Sequence, residues 1–169
     1  MTVADVLTDS FERVREAVHE ATDNLGPEAI LFRVDEESNS IGWLVWHLTR
    51  IEDDHVAAVA GRDQDWLAHG WADRFGLPYE KQAHGYGHSP ADVGAFSVGS
   101  AELLVGYQDA VHARTLDYVS GLSDADLARV VDTRWDPPVT LSVRLVSVIS
   151  DCLQHAGQAA FIRGIAERR

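Results

Sequence analysis

The chain has 169 residues, of which 46% are hydrophobic and 24% charged, so it has the length and composition of one ordinary folded domain spanning 1–169. Its 27 acidic residues outnumber 14 basic ones, giving a formal net charge of −13. Such a surface repels phosphate backbones and anionic lipid, which argues against nucleic-acid and membrane-surface partners. No run approaches the roughly 18 apolar residues of a membrane span, and the first residues do not read as a signal peptide. The lone Cys152 leaves no internal disulfide framework, which fits a reducing, cytoplasmic setting.

Val6, Leu7, Phe11, Val14, Val18 and Leu25 recur at threes and fours, predicting a first helix from Val3 to about Asn24. A second helix should start near Ser38-Asn39-Ser40, whose small polar side chains can cap it, and stop at Gly61. Residues 61 to about 97 differ: glycines and prolines break any long period, while Trp66, Trp71, Phe75, Tyr79 and Tyr86 keep the segment apolar. So long and aromatic a connection is expected to cover a pocket, with Trp71, Phe75 and Tyr86 excluding water and the glycines permitting movement.

A third helix is expected from Ser100 to Ser120, followed by a short helix from Ser123 to about Val131. Val139–Val143 alternates like a strand, but Pro137-Pro138 followed by a long apolar period favours a last helix from Thr140 to about Glu167. The expected fold is therefore all-α: a four-helix bundle with a long crossover segment and a short accessory helix.

Asp151 and His155 are four residues apart, so on a helix they share one face about 6 Å apart along the axis. That spacing serves a surface pair, a simple His–Asp hydrogen bond or two ligands of one ion. His47 lies in the apolar stretch Trp43-Leu44-Val45-Trp46-His47-Leu48, where a core histidine is equally at home. Three ligands from two facing helices, with a position left open, is nonetheless the usual plan of a catalytic metal site.

The Trp43–His47 segment on the second helix and His155-Ala156-Gly157-Gln158 on the last resemble the DinB-like metal-binding four-helix bundles. The similarity spans nearly the whole chain in helix order and motif position. Members of that superfamily place one His on the second helix and a His-x-x-x-His pair on the final one. In the branch of mycothiol-dependent maleylpyruvate isomerases and thiol S-transferases, a carboxylate replaces the first member of that pair. The present Asp151-x-x-x-His155 is similar to this pattern, with Asp one methylene shorter than the family's Glu. The resemblance implies a divalent ion on His47, Asp151 and His155, zinc first, with nickel, iron or manganese also suited. It further implies a mycothiol-like low-molecular-weight thiol acting as nucleophile on an electrophilic substrate, in a transfer or isomerisation reaction. The alternatives are a non-catalytic metal- or small-molecule-binding stress-response module, and a homodimer-forming bundle whose polar triad is structural.

Arg50, one turn after Trp46, is the candidate for holding an anionic group of cofactor or substrate. No residue stands out as a general acid or base. His55 has acidic neighbours and reads as a solvated residue. His84 and His88 read as part of a surface or pocket-covering loop. Cys152 is turned about 100° from the ligand face and reads as core. The five tryptophans read as core or bundle-mouth residues.

Overall fold

The computed structural model describes residues 1–169. Four long helices form a bundle: α1 (Val3–Thr22), α3 (Ile41–Ala60), α7 (Ala101–Val119) and α9 (Leu141–Ala166). Between them lie five short helices: α2 (Pro27–Ile30), α4 (Asp65–Ala68), α5 (Trp71–Phe75), α6 (Pro90–Ala95) and α8 (Asp124–Leu127). A two-stranded ribbon pairs β1 (Val130–Asp132) with β2 (Val139–Thr140). No helix is long and apolar enough to cross a membrane.

The helix starts follow from their caps. Thr2 and Asp5 exchange hydrogen bonds with each other's backbone at the head of α1. Ser40 Oγ accepts from Trp43 N at 3.1 Å, and Thr140 Oγ1 accepts from Val143 N at 3.4 Å. Each satisfies a first-turn N–H that the helix itself leaves free. α3 ends at Gly61, whose φ of +68° lets the chain leave the helix in the left-handed conformation. Two expectations need correction. Val130–Asp132 leaves the short helix early and pairs with Val139–Thr140, because Arg129 O accepts from Leu141 N and closes the ribbon onto α9. Trp135, at the turn of that ribbon, is 66% exposed and belongs to neither core nor bundle mouth.

Around the bundle, α3 packs on α9 and α7, and α1 packs on the other sides of the same two helices. Arg144 near the start of α9 meets His55 near the end of α3, so these two run antiparallel. Arg129, just beyond α8, bridges the ends of α3 and α7 through Val59 O and Tyr118 Oη, so those two run in parallel. One apolar cluster draws on all four helices, including Phe11, Leu44, Trp46, Tyr107 and Leu145.

Inside this core sits Glu52, fully buried on α3, with neither carboxyl oxygen in a well-formed hydrogen bond. Burial pushes its carboxyl up to about 7, with the nearby Thr115 and Gln108 side chains pulling the other way. A raised acid pKa means that the folded state holds its proton more tightly. Stability is therefore lost as pH rises from the ordinary value near 4.5 to about 7, and levels off above. Glu52→Gln should melt several degrees above the wild type at pH 8, and the gap should shrink toward pH 5. The full effect is about 3 kcal/mol at most. Melting curves at four or five pH values check it, and a gap that does not change with pH refutes it.

Candidate metal centre

His47 lies mid-way along α3, 5% exposed, with its ring stacked on Trp43 at 4.8 Å and 14°. Its Nδ1 meets the carbonyl oxygen of His84. A carbonyl can only accept, so Nδ1 carries the proton and Nε2 keeps a free lone pair. Burial lowers the imidazole pKa to about 4, with the His84 carbonyl pulling part of the way back. The ring is neutral at pH 7, the form that binds a metal.

His155 faces it from α9, edge-on at 4.9 Å between ring centroids. Its Nδ1 lies 2.9 Å from Gln158 Oε1 and its Nε2 3.6 Å from Asp151 Oδ1. Both histidines thus place the N–H on an oxygen acceptor and leave Nε2 as the free donor, an arrangement common to metal-binding imidazoles. Asp151 completes the group. One potential ligand atom from each of His47, Asp151 and His155 lies within 4.8 Å of the other two.

Two observations bear on whether a cation fits. Asp151 Oδ2 is buried with no hydrogen-bond partner, an expensive state for a carboxylate unless a cation meets it. Donors at about 2.1 Å from a tetrahedral ion stand about 3.4 Å apart, so the three atoms need close by little more than 1 Å. Side-chain torsions on rigid helices can supply that. Two imidazole nitrogens and one carboxylate oxygen suit a first-row divalent ion.

The segment from 61 to 97 does reach this site, though not as expected. It approaches with backbone, not with aromatic rings. Gly85 sits at φ +92°, and a Cβ there would stand 2.8 Å from His47 Nδ1 and 3.0 Å from Trp43. Only glycine lets the chain pass so close while presenting the His84 carbonyl. Trp71 and Phe75 instead pack on Tyr107, at 5.4 and 5.9 Å, because α7 offers them a buried ring. Tyr86 is 85% exposed. The segment is also pinned rather than loose. Asp53 carboxylate oxygens accept from the N–H groups of Asp65 and Trp66, and Trp66 Nε1 donates to Lys81 O.

Arg50 belongs to this pinning. It is fully buried, with Nε donating to Ala83 O and one terminal nitrogen to Gln64 Oε1. Its ion partner, Asp53, stands 3.7 Å away. The guanidinium therefore holds the segment against α3, and the expected role of receiving a soluble anion has no open face to work through. His55 lies outside the triad, beside Arg144. His88 accepts from Trp43 Nε1 at 3.3 Å and packs on Tyr79, so it braces the wall of the site. Cys152 is buried, with Sγ at 3.5 Å from Leu48 O, and burial pushes its thiol well above the ordinary value. Gln158 was legible as a member of the helix motif, but its task was not. Its i+3 spacing from His155 was the available signal.

A family model described as mycothiol-S-transferase matches residues 6–167. The chain belongs to the mycothiol-S-transferase family. The DinB-like resemblance read from the two helix motifs agrees with this membership. Among solved structures, the chain is similar to a crystal structure of a conserved protein from Enterococcus faecalis. The two share 29% identity at a TM-score of 0.93, over 100% of this chain and 99% of that one. None of the curated proteins compared matches this chain. Membership of the mycothiol-S-transferase family links the chain to mycothiol-related thiol-transfer chemistry.

Proposed function

We propose that this protein is a divalent-metal-dependent thiol S-transferase, with His47, Asp151 and His155 as the metal ligands. The observation that carries the reading is the pair of imidazoles, each with Nδ1–H already committed and Nε2 free beside an unpartnered carboxylate oxygen. A divalent ion held there would supply the positive charge that favours thiolate over thiol at neutral pH. The chain's own contribution is positioning and exclusion. His84 O and Gln158 Oε1 fix the tautomers, while Trp43, Trp46 and Gly85 keep water from the His47 side. His155 and Asp151 are less enclosed, with side chains 21% and 36% exposed, so thiol and electrophile would enter from the α9 side.

In the reaction we assign, the thiol sulfur forms a bond to an electrophilic carbon, a leaving group departs with its electron pair, and the thiol proton passes to solvent. Zinc is the first choice of ion, mycothiol the thiol, and the cytoplasm the setting. We also extend the reading to a homodimer and to one functional unit over the whole chain. The test is elemental analysis of protein purified without chelator, followed by conjugation of mycothiol to monochlorobimane. About one divalent ion per chain and chelator-sensitive turnover support the proposal; turnover unaffected by metal removal and restoration sinks it.

A ranking of the ligands follows. Asp151→Asn should weaken metal retention less than His155→Ala, because Asn keeps a neutral oxygen donor while Ala keeps none. Competition with a chromogenic chelator measures both, and the reverse order would show that the carboxylate charge outweighs the imidazole.

A further inference from the structure

At the end of the bundle where α3 stops and α9 begins, a cleft of about 570 Å³ opens between His55, the β-ribbon and the first turns of α9. Three arginines, Arg129, Arg134 and Arg144, line it on a protein whose net charge is −13. They face two carboxylates, Asp54 and Asp132. Asp132 is held by Arg134 at 2.8 Å and Arg144 at 3.0 Å, which keep its pKa well below the usual carboxylate range. Arg144 spends Nη2 on Asp132 and Nη1 on His55, but the other two are not used up. Arg134 spends Nε and Nη2 on Asp132, and Arg129 spends Nη2 on Val59 O and Tyr118 Oη. Each keeps Nη1 without a protein partner. Ala58, Val59, Val130 and Val131 add apolar surface to it, and Val130 is 50% exposed.

The position matters as much as the charge. His55 follows His47 by eight residues on α3, and Arg144 precedes Asp151 by seven on α9. Because these helices are antiparallel, both steps lead the same way, about 10–12 Å from the triad along the bundle axis. Arg144 Nη1 donates to His55 Nδ1 at 3.1 Å, which ties the two helices together at the cleft.

We propose that this cleft binds the carboxylate of an acceptor substrate, with its hydrocarbon body lying on Val59 and Val130 and its reactive end directed toward His47, Asp151 and His155. The assignment to the acceptor rests on the transferase reading above; the carboxylate site itself does not. A carboxylate fits better than a phosphate dianion, because Asp54 and Asp132 share the cleft and repel the second charge. The planar guanidinium fork also matches a carboxylate's two oxygens.

The test is calorimetric titration of the metal-loaded protein with hexanoate, hexanamide and inorganic phosphate, none of which requires turnover. Hexanoate should bind and hexanamide should bind at least tenfold more weakly. Arg134→Gln, at an 84% exposed side chain whose loss leaves the core intact, should weaken hexanoate about tenfold, and Arg129→Gln should weaken it as well. Wild-type protein stripped of metal by a chelator should bind hexanoate unchanged, which separates the cleft from the metal centre. Equal binding of acid and amide, indifference to Arg134→Gln, or tighter binding of phosphate than of hexanoate each overturns the proposal. Normal hexanoate binding without thiol-dependent turnover overturns only the transferase reading.

Discussion

Replacing His155 by alanine should strip the protein of most of its metal while leaving its helical content unchanged. The side chain is 21% exposed and its only polar partners are Gln158 and Asp151 on its own helix, so the fold does not depend on it. The loss in affinity should exceed the roughly 10–100-fold that removal of an outer hydrogen-bond partner costs a metal site. His47→Ala should lose metal as fully but also stability. It leaves the His84 carbonyl without its donor and a gap against Trp43, a cost on the order of 1–3 kcal/mol. Metal content after dialysis, read beside circular dichroism, separates the two effects. Full metal occupancy in both variants would falsify the three-residue site.

Gly85→Ala should be nearly as damaging although it removes no ligand. At φ +92° a side chain is strained, and its Cβ would meet His47 Nδ1, Trp43 and Trp46 at 2.8–3.1 Å. Relief requires the backbone to retreat, which takes the His84 carbonyl off His47 and frees the ring to turn. The strain alone is about 1–3 kcal/mol, and loss of the orienting bond weakens metal binding by about 10–100-fold. Gly87→Ala is the control, because its φ of +78° is equally strained but nothing lies within 4 Å of its Cβ. A lower melting temperature for Gly85→Ala than for Gly87→Ala, with metal affinity lost only in Gly85→Ala, is the expected pair of results. Equal affinity in the two variants would mean that the His84 carbonyl does not hold the imidazole.

The parts that were legible in the sequence are those governed by periodicity and capping. Ser40, Gly61 and Thr140 mark helix ends by local chemistry, and the structure uses all three. Asp151 and His155 were legible as a pair because helical spacing fixes which residues share a face, whereas His47 joined them through the resemblance of the two helix motifs to the DinB-like bundles. What was not legible depended on tertiary contacts or on backbone atoms, which carry no residue code. The acceptor for His47 is a main-chain carbonyl 37 residues away. Trp71 and Phe75 have the composition of a lid, yet their burial depends on Tyr107, on a helix that begins 25 or more residues later. Arg50 lies beside the ligand face in sequence, but Asp53, Gln64 and Ala83 converge on it only in the folded chain.

The pinned crossover bears on the time course of ligand binding. Arg50, Asp53 and Trp66 fasten the 61–97 segment at several points along α3, and Trp43 fastens it again at His88. A wall held in this way is expected to keep one form before and after a ligand arrives. Rapid-mixing traces for thiol binding should therefore be single exponentials whose rate rises linearly with thiol concentration. A plateau at high concentration, the mark of a slow isomerisation preceding or following encounter, is not expected.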